Sequence, residues 1–167
     1  SYHHWQNRLP LYNMRMQNLS AAVIRPQLPL IDERAARGLE NHDHVAARLA
    51  ESPCFQVPSA LPQETRAPDS LQFNLTGFAR DEDVAAFQSA TELGGVSVQV
   101  FGLSRDNARA FWNWQFLDEI PDLPKTRAML MRACDLRLPA RLNRAELDFI
   151  ADVLISAAEK ICKPKAA

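Results

Sequence analysis

Residues 12–28, YNMRMQNLSAAVIRPQL, decide the organisation of the N-terminal part of the chain. From Asn18 onward, apolar residues recur at helical spacing, and Pro26 and Pro29 interrupt the pattern. A proline inside a helix removes one backbone donor and clashes with the preceding turn, which costs about 3 kcal/mol. This stretch therefore predicts a short helix, a kink at the two prolines, and a longer helix from about Leu30 to Ala50.

Beyond this helical arm, the sequence pattern alternates between strand and helix. Residues 52–70 contain four prolines and no helical period, so they predict a loop with a short strand near Phe55. Alternating residues predict further strands, and apolar residues at helical spacing predict helices. The predicted strands are residues 72–76, 96–101 and 136–139, the last at a sheet edge, and the predicted helices are residues 82–92, a short stretch from Ser104 or Asp106, 124–133 and 143–161.

This order of elements predicts an α/β fold with a short, mainly antiparallel sheet and packed helices, preceded by a long helical arm. We divide the chain into an arm with a long kinked helix, residues 1–51, and a small α/β domain, residues 52–167. In the helix at 82–92, Val84, Phe87 and Leu93 are expected to face inward. The apolar stripe of the arm has too few neighbours in this chain, so a partner surface is expected to cover it.

The overall composition excludes several classes of partner. Nineteen basic and twenty acidic residues give a net charge of −1, which argues against nucleic acid or a membrane surface as partner, since both attract a basic face. No apolar run approaches the roughly 20 residues that span a bilayer, and the N-terminus does not resemble a signal peptide. The three cysteines are widely spaced and odd in number, so neither a disulfide framework nor a zinc site is expected. A cytoplasmic protein is the natural expectation.

Two other groups of residues could carry chemistry. The pairs His3-His4 and His42/His44 are spaced so that helical neighbours point apart, and no metal site is expected. Trp112 and Trp114 belong to the densest aromatic group in the chain. They are candidates for lining a sugar or amino-acid pocket, and packing within the core is the alternative.

The opening stretch also resembles a known family. Asn13, Arg15-Met16, Ala21-Ala22 and Gln27-Leu28 are similar to the segment G-x-N-x-R-M…AA…QL of the DegT/DnrJ/EryC1/StrS family, the sugar aminotransferases that use pyridoxal phosphate (PLP). The segment departs from the family pattern at Leu11, where the family has glycine. The resemblance implies that the chain is the C-terminal small domain of a fold-type I PLP-dependent transferase.

The resemblance also implies roles for individual residues. Asn13 matches the asparagine that contacts the cofactor phosphate of the neighbouring subunit, and a neutral amide can donate to phosphate. Arg15 matches an arginine near the active site that holds substrate or the dimer contact, since a guanidinium forks onto carboxylate or phosphate. A local helix-capping role for Asn13 and a surface ion pair for Arg15 are the alternatives.

Whether this chain can be active alone depends on whether it contains the lysine that holds the cofactor. PLP transamination needs a lysine that holds the cofactor, and the family's lysine lies upstream of the asparagine motif. Lys125, Lys160, Lys163 and Lys165 match no such position, so no catalytic residue is expected in this chain. The resemblance implies the C-terminal part of an enzyme that moves an amino group from glutamate or glutamine to a keto-sugar or keto-cyclitol.

Such an enzyme would need a lysine-bearing N-terminal portion or partner chain and would form a homodimer. The chain alone is not expected to be active. The alternative is a non-catalytic dimerisation or regulatory module derived from the same family.

Overall fold

The computed structural model describes residues 16–162, and it begins with the predicted helical arm. Helix α1 spans Asn18–Ile24, a 3-10 helix spans Arg25–Leu30, and helix α2 spans Ile31–Ala50. Both prolines lie in the 3-10 segment, so the predicted kink is confirmed. No residue of α1 or of the 3-10 helix is buried. Their apolar side chains are therefore exposed within the described part of the chain. The sequence predicts that a partner surface covers them.

The remaining elements form a small antiparallel sheet and three further α-helices within residues 16–162. They are β1 Phe55–Gln56, β2 Ser70–Leu75, α3 Asp81–Leu93, β3 Gln99–Val100, a 3-10 turn Phe111–Asn113, α4 Pro124–Leu130, β4 Ala133–Arg137 and α5 Arg144–Glu159. The strand order is β1-β2-β4-β3, and each neighbouring pair is antiparallel. The predicted α/β class with a short antiparallel sheet is confirmed. No helix in this part of the chain is long and apolar enough to cross a membrane.

Helices α2, α3 and α5 cover one face of the sheet. Leu49, Phe87 and Leu154 come from these helices and meet Phe73 and Leu136 of the sheet in one buried cluster. Each such side chain contributes about 1.5–3 kcal/mol when it leaves water. Alternation along the strands sends every second residue to this face, so the intervening residues form a second, polar face.

Polar contacts also join α2 to α5. Nε2 of His44 lies 2.6 Å from Oδ1 of Asp148, and Arg48 donates to Asp148 at 3.1 Å and to Asp152 at 2.6 Å. The hydrogen bond from His44, with the nearby positive charges, holds the pKa of Asp148 below its usual value. The long helix is therefore fixed to the final helix by apolar and charged contacts together.

Gly38 marks the closest approach between α2 and the loop that precedes β2. A Cβ built at this position would overlap the carbonyl oxygen of Pro68. Only glycine leaves room for the loop to run this close to the helix.

Helix α3 shows where periodicity alone misleads. Leu93 is 91% exposed and does not face inward as expected, whereas Val84, Phe87 and Thr91 are buried. Thr91 continues the stripe of Val84 and Phe87, and Leu93 lies two residues further on, about 200° around the helix axis. The prediction for Leu93 was therefore wrong.

The strand predicted at residues 96–101 is shorter than expected, because only Gln99–Val100 pairs with a neighbour. Val96 and Val98 are buried and Ser97 between them is exposed, so the alternating sequence pattern predicted correctly which side chains are buried. The backbone of this segment bonds to α3: Val96 N–H donates to Thr91 O at 2.9 Å, and Val98 O accepts from the Gln88 side chain at 2.9 Å. These hydrogen bonds to α3 take the place of pairing between residues 96–98 and a neighbouring strand.

The C-terminal strand also differs from its prediction. Helix α4 ends at Leu130, not Ala133, and β4 begins where the helix was expected to finish. This strand lies between β2 and β3, not at an edge. The helix predicted from Ser104 or Asp106 is reduced to the 3-10 turn at 111–113, because Asn113 Nδ2 holds the preceding turns by donating to Ser104 O and Asn107 O.

Two cysteines form a disulfide that the sequence did not predict. Cys54, next to β1, is bonded to Cys162, just after α5, with 6.0 Å between their Cα atoms. Their separation of 108 residues carried no signal, because folding alone brings the two segments together. Cys134 stays a free, buried thiol, and burial raises its pKa to about 12.

Candidate functional site

The residues predicted to form a site fall into two groups. Asn13 and Arg15 lie outside the described residues. Trp112 and Trp114 are described and lie in and just after the 3-10 turn, above the second face of the sheet.

Trp112 and Trp114 belong to a small aromatic cluster that covers one end of that face. Trp112 meets Phe111 edge to face at 5.1 Å between ring centroids, and the Arg127 guanidinium lies 4.4 Å over its ring. Trp114 donates from Nε1 to the carbonyl of Ala108 at 2.6 Å. These contacts orient both indoles, and each remains half-buried. Their contact with a substrate stays a prediction.

A polar cleft occupies the other end of the same face. Gln72 of β2 faces Asp135 of β4, which in turn faces Gln99 of β3, so the three side chains form a row across three strands. Their strand neighbours Phe73, Cys134 and Val100 point to the core. The row therefore lines the floor of a cavity of about 410 Å³, which we call the polar cleft.

Charged side chains form the rim of the polar cleft. Arg137 is ion-paired with Asp69. The guanidinium of Arg109 lies 4.7 Å over the ring of Phe101, and within residues 16–162 it has no carboxylate partner. Asp135 is half-buried and, in the same part of the chain, makes neither a hydrogen bond nor an ion pair. Within residues 16–162, one acidic and one basic side chain of this cavity thus lack a direct ion-pair partner.

The sequence analysis missed this cleft although part of the signal was present. Gln72 and Gln99 lie in segments where alternation was recognised, so they could have been assigned to a common polar face. Asp135 could not, because it fell between a predicted helix end and a predicted strand start. The position of Arg109 depends on the irregular turns before residue 111, which no periodicity describes.

The lysines among residues 16–162 are Lys125 and Lys160, both exposed. Lys160 borders a separate cavity of about 310 Å³ between α3 and α5, and neither lysine lines the polar cleft. In the same part of the chain, no group of three His, Cys, Asp or Glu side chains is placed to hold a metal ion.

Comparison with known sequences identifies one family. The sequence model of the DegT/DnrJ/EryC1/StrS aminotransferase family matches residues 2–155. Comparison with curated proteins gives no match.

Solved structures share the fold of the described region. Spr1654 from Streptococcus pneumoniae in its PLP form superposes with a TM-score of 0.74 at 17% identity, covering 93% of this chain and 39% of that protein. For sugar aminotransferase CalS13 from Micromonospora echinospora the TM-score is 0.66 at 17% identity, with coverages of 87% and 36%. An aminotransferase from Psychrobacter cryohalolentis superposes with a TM-score of 0.69 at 16% identity, and the match covers 96% of this chain and 46% of that protein. The chain thus spans less than half the length of each of these proteins.

Proposed function

Because the chain belongs to the DegT/DnrJ/EryC1/StrS aminotransferase family, we propose that it forms the C-terminal part of a PLP-dependent aminotransferase. The complete enzyme moves an amino group from glutamate or glutamine to a keto-sugar or keto-cyclitol. The family match over residues 2–155 carries the proposal. The description of CalS13 as a sugar aminotransferase supports the substrate class, and the PLP and PMP forms of Spr1654 support the cofactor.

In this proposal, the chain contributes to a site that another portion of the enzyme completes. Asn13 donates to the cofactor phosphate of a neighbouring subunit, and Arg15, Trp112 and Trp114 contact substrate. The lysine that holds PLP belongs to an N-terminal portion or to a partner chain. We place the enzyme in the cytoplasm, where the Cys54–Cys162 bond is open to reduction.

The exposed arm supports association as part of this function. Leu19 is 74% exposed, Val23 56% and Leu28 53%, and all three lie on α1 or the 3-10 helix. A run of apolar side chains of this kind is stabilised when another protein surface removes it from water. We propose that the covering surface is the rest of the enzyme, in a homodimer.

The experiment that tests the function is the intact mass, under denaturing conditions, of the protein isolated from its native source, together with its PLP content. We expect a longer polypeptide, or a second lysine-bearing chain that co-purifies, with PLP bound. A single species of 18.8 kDa without PLP would contradict the proposal. That result would favour a non-catalytic dimerisation or regulatory module.

Asn13→Ala tests the cofactor contact in the complete enzyme. Loss of a hydrogen bond to a charged phosphate costs about 1.5–3 kcal/mol, so the dissociation constant of PLP should rise at least about tenfold. PLP released during gel filtration measures this change. Asn18→Ala is the matched control, because Asn18 is an exposed residue at the start of α1. Equal PLP retention in both variants would remove the phosphate contact from the proposal.

A further inference from the structure

We propose that a cavity between α2 and the loop at residues 57–66 binds an uncharged, largely apolar molecule that carries one hydroxyl group. The hydroxyl group donates to Nε2 of His42, and the apolar body packs against the alanines of α2. Neither cofactor nor catalysis is needed for this binding, so the inference extends beyond the aminotransferase function.

The cavity lies where the loop crosses α2, and we call it the loop cavity. Its volume is about 590 Å³, which falls in the range of small-molecule sites. It shares no lining residue with the polar cleft. Apolar side chains form much of its wall, among them Leu39, Ala46, Ala47, Ala50, Val57 and Pro58. This wall favours a ligand with an apolar body.

His42 is the buried polar residue of the loop cavity, with 7% of its surface exposed. Its Nδ1 lies 2.9 Å from Oδ1 of Asp43, and its Nε2 has no hydrogen-bond partner within residues 16–162. Among the completely buried side-chain nitrogen and oxygen atoms of this region, only Nδ2 of Asn107 lacks a partner, so Nε2 of His42 still borders open space. That space consists of the loop cavity and a smaller cavity that adjoins it at His42. A ligand in the loop cavity therefore meets an unpaired ring nitrogen.

Asp43 determines which ring nitrogen of His42 accepts a hydrogen bond. A carboxylate can only accept, so Nδ1 carries the ring proton and donates to Asp43. In the neutral ring, Nε2 then has a free lone pair and no proton. The ring nitrogen at the cavity therefore selects a hydrogen-bond donor on the ligand, and a hydroxyl group supplies one.

The charged residues of the loop cavity do not favour a charged ligand. Arg66 Nε donates to Glu64 at 3.0 Å, so the charges of these two residues offset each other. The side chain of Asp43 is 67% exposed, and water screens its charge. A ligand carboxylate would face the acceptor Nε2 and be repelled by Asp43. An ammonium group would leave water for a site with no free opposite charge at its depth, which is costly.

The loop that covers the cavity is held by its own contacts. Leu61 N–H donates to the Glu64 side chain at 3.0 Å, and Glu64 N–H donates back to Leu61 O at 3.0 Å. Pro58 and Pro62 fix the backbone angle at two further positions. The cavity is therefore formed before a ligand arrives, which lowers the entropy cost of binding.

An NMR titration of the 167-residue chain with phenol tests the proposal. The chain has four histidines, and the imidazole signal that is missing from the spectrum of His42→Gln belongs to His42. We expect phenol to shift this signal saturably, and anisole, which lacks the O–H donor, to bind about five- to tenfold more weakly. Benzoate should also bind more weakly than phenol. No saturable shift at tens of millimolar phenol would overturn the proposal, as would equal or tighter binding of anisole or benzoate.

Ala47→Leu tests the location of the site without altering His42. Ala47 is exposed on α2 and lines the loop cavity, so a larger side chain fills the cavity and leaves the core unchanged. The dissociation constant of phenol should rise at least about tenfold. Ala36→Leu is the matched control, because Ala36 is exposed on the same helix and does not line the loop cavity. Unchanged affinity in Ala47→Leu would overturn the proposal, since phenol would then bind elsewhere.

Asp43→Asn tests the hydrogen bond at Nε2 of His42. An asparagine amide can donate to Nδ1, which moves the ring proton to Nε2 and removes the acceptor. The preference for phenol over anisole should therefore shrink toward equal binding, a selective change that loss of folding would not produce. Asp32→Asn is the control, because Asp32 is exposed on the same helix and does not line the loop cavity. An unchanged preference in Asp43→Asn would contradict the assignment of Nε2 as the acceptor.

Discussion

Leu154 and Leu93 are both helical leucines, and their surroundings predict opposite sensitivities to truncation. Leu154 is completely buried among the core residues of α5, whereas Leu93 is 91% exposed at the end of α3. Leu154→Ala should lower the free energy of unfolding by about 2–5 kcal/mol, because it leaves a cavity in the core. Leu93→Ala should change it by less than about 0.5 kcal/mol. Urea unfolding measures both variants, and similar losses would contradict the assigned burial.

Single residues also mark where sequence reasoning reaches its limit. The start of the helix predicted from residue 143 is confirmed by a capping box, in which Asn143 N–H donates to Glu146 at 2.8 Å. A cap of this kind can be recognised locally, because it depends on residues three apart in sequence. The unpaired carboxylate of Asp135 and the Cys54–Cys162 bond depend on residues that lie far apart in the chain. No local pattern records such contacts.

At the scale of elements, the contact between α2 and α5 predicts a dependence on pH. Ionised Asp148 accepts from His44, and its pKa in the folded chain lies below the ordinary value of 3.8. A lowered carboxyl pKa stabilises the fold above the unfolded-state pKa, and this contribution disappears as pH falls through the folded-state value. The stability difference between the wild type and Asp148→Asn should therefore be full near neutral pH and shrink as pH falls below about 3.8.

Thermal unfolding at a series of pH values measures this difference. Asp118→Asn is the control, since Asp118 is exposed and lies outside the α2–α5 contact. A difference for Asp148→Asn that stays constant across the acid range would show that the His44 contact does not stabilise the ionised carboxyl.

The elements themselves were predictable to different degrees. The arm was predicted well because prolines act locally, through their own missing donor and fixed backbone angle. The strands at residues 96–101 and 133–137 were predicted less well, because pairing depends on which neighbour supplies hydrogen bonds. Val96 and Val98 have the side chains of a strand, but their backbone groups bond to α3. The burial of side chains therefore follows the local sequence pattern more closely than the pairing of strands does.

At the scale of the whole molecule, the disulfide between Cys54 and Cys162 predicts sensitivity to reduction. The bond closes a loop of about one hundred residues, and its loss should lower the free energy of unfolding by about 2–4 kcal/mol. Urea unfolding with and without a thiol reductant measures the loss. Cys134 should contribute nothing to the effect, because its buried thiol remains protonated at neutral pH.

The double variant Cys54→Ser/Cys162→Ser is the control for this experiment. Its stability should match that of the reduced wild type and should not respond to reductant. If the wild type were equally stable with and without reductant, the bond would not constrain the chain.

The close approach of Gly38 to Pro68 has a consequence for how the polar cleft could be adjusted. Any residue with a Cβ at position 38 would act as a wedge between α2 and the loop. Pro68 is followed directly by Asp69, whose carboxylate holds Arg137 at the rim. The displacement would thus pass through adjacent peptide units and reposition one wall of the cleft. A side chain at position 38 would therefore change the width of a cavity that lies on the opposite face of the sheet from α2.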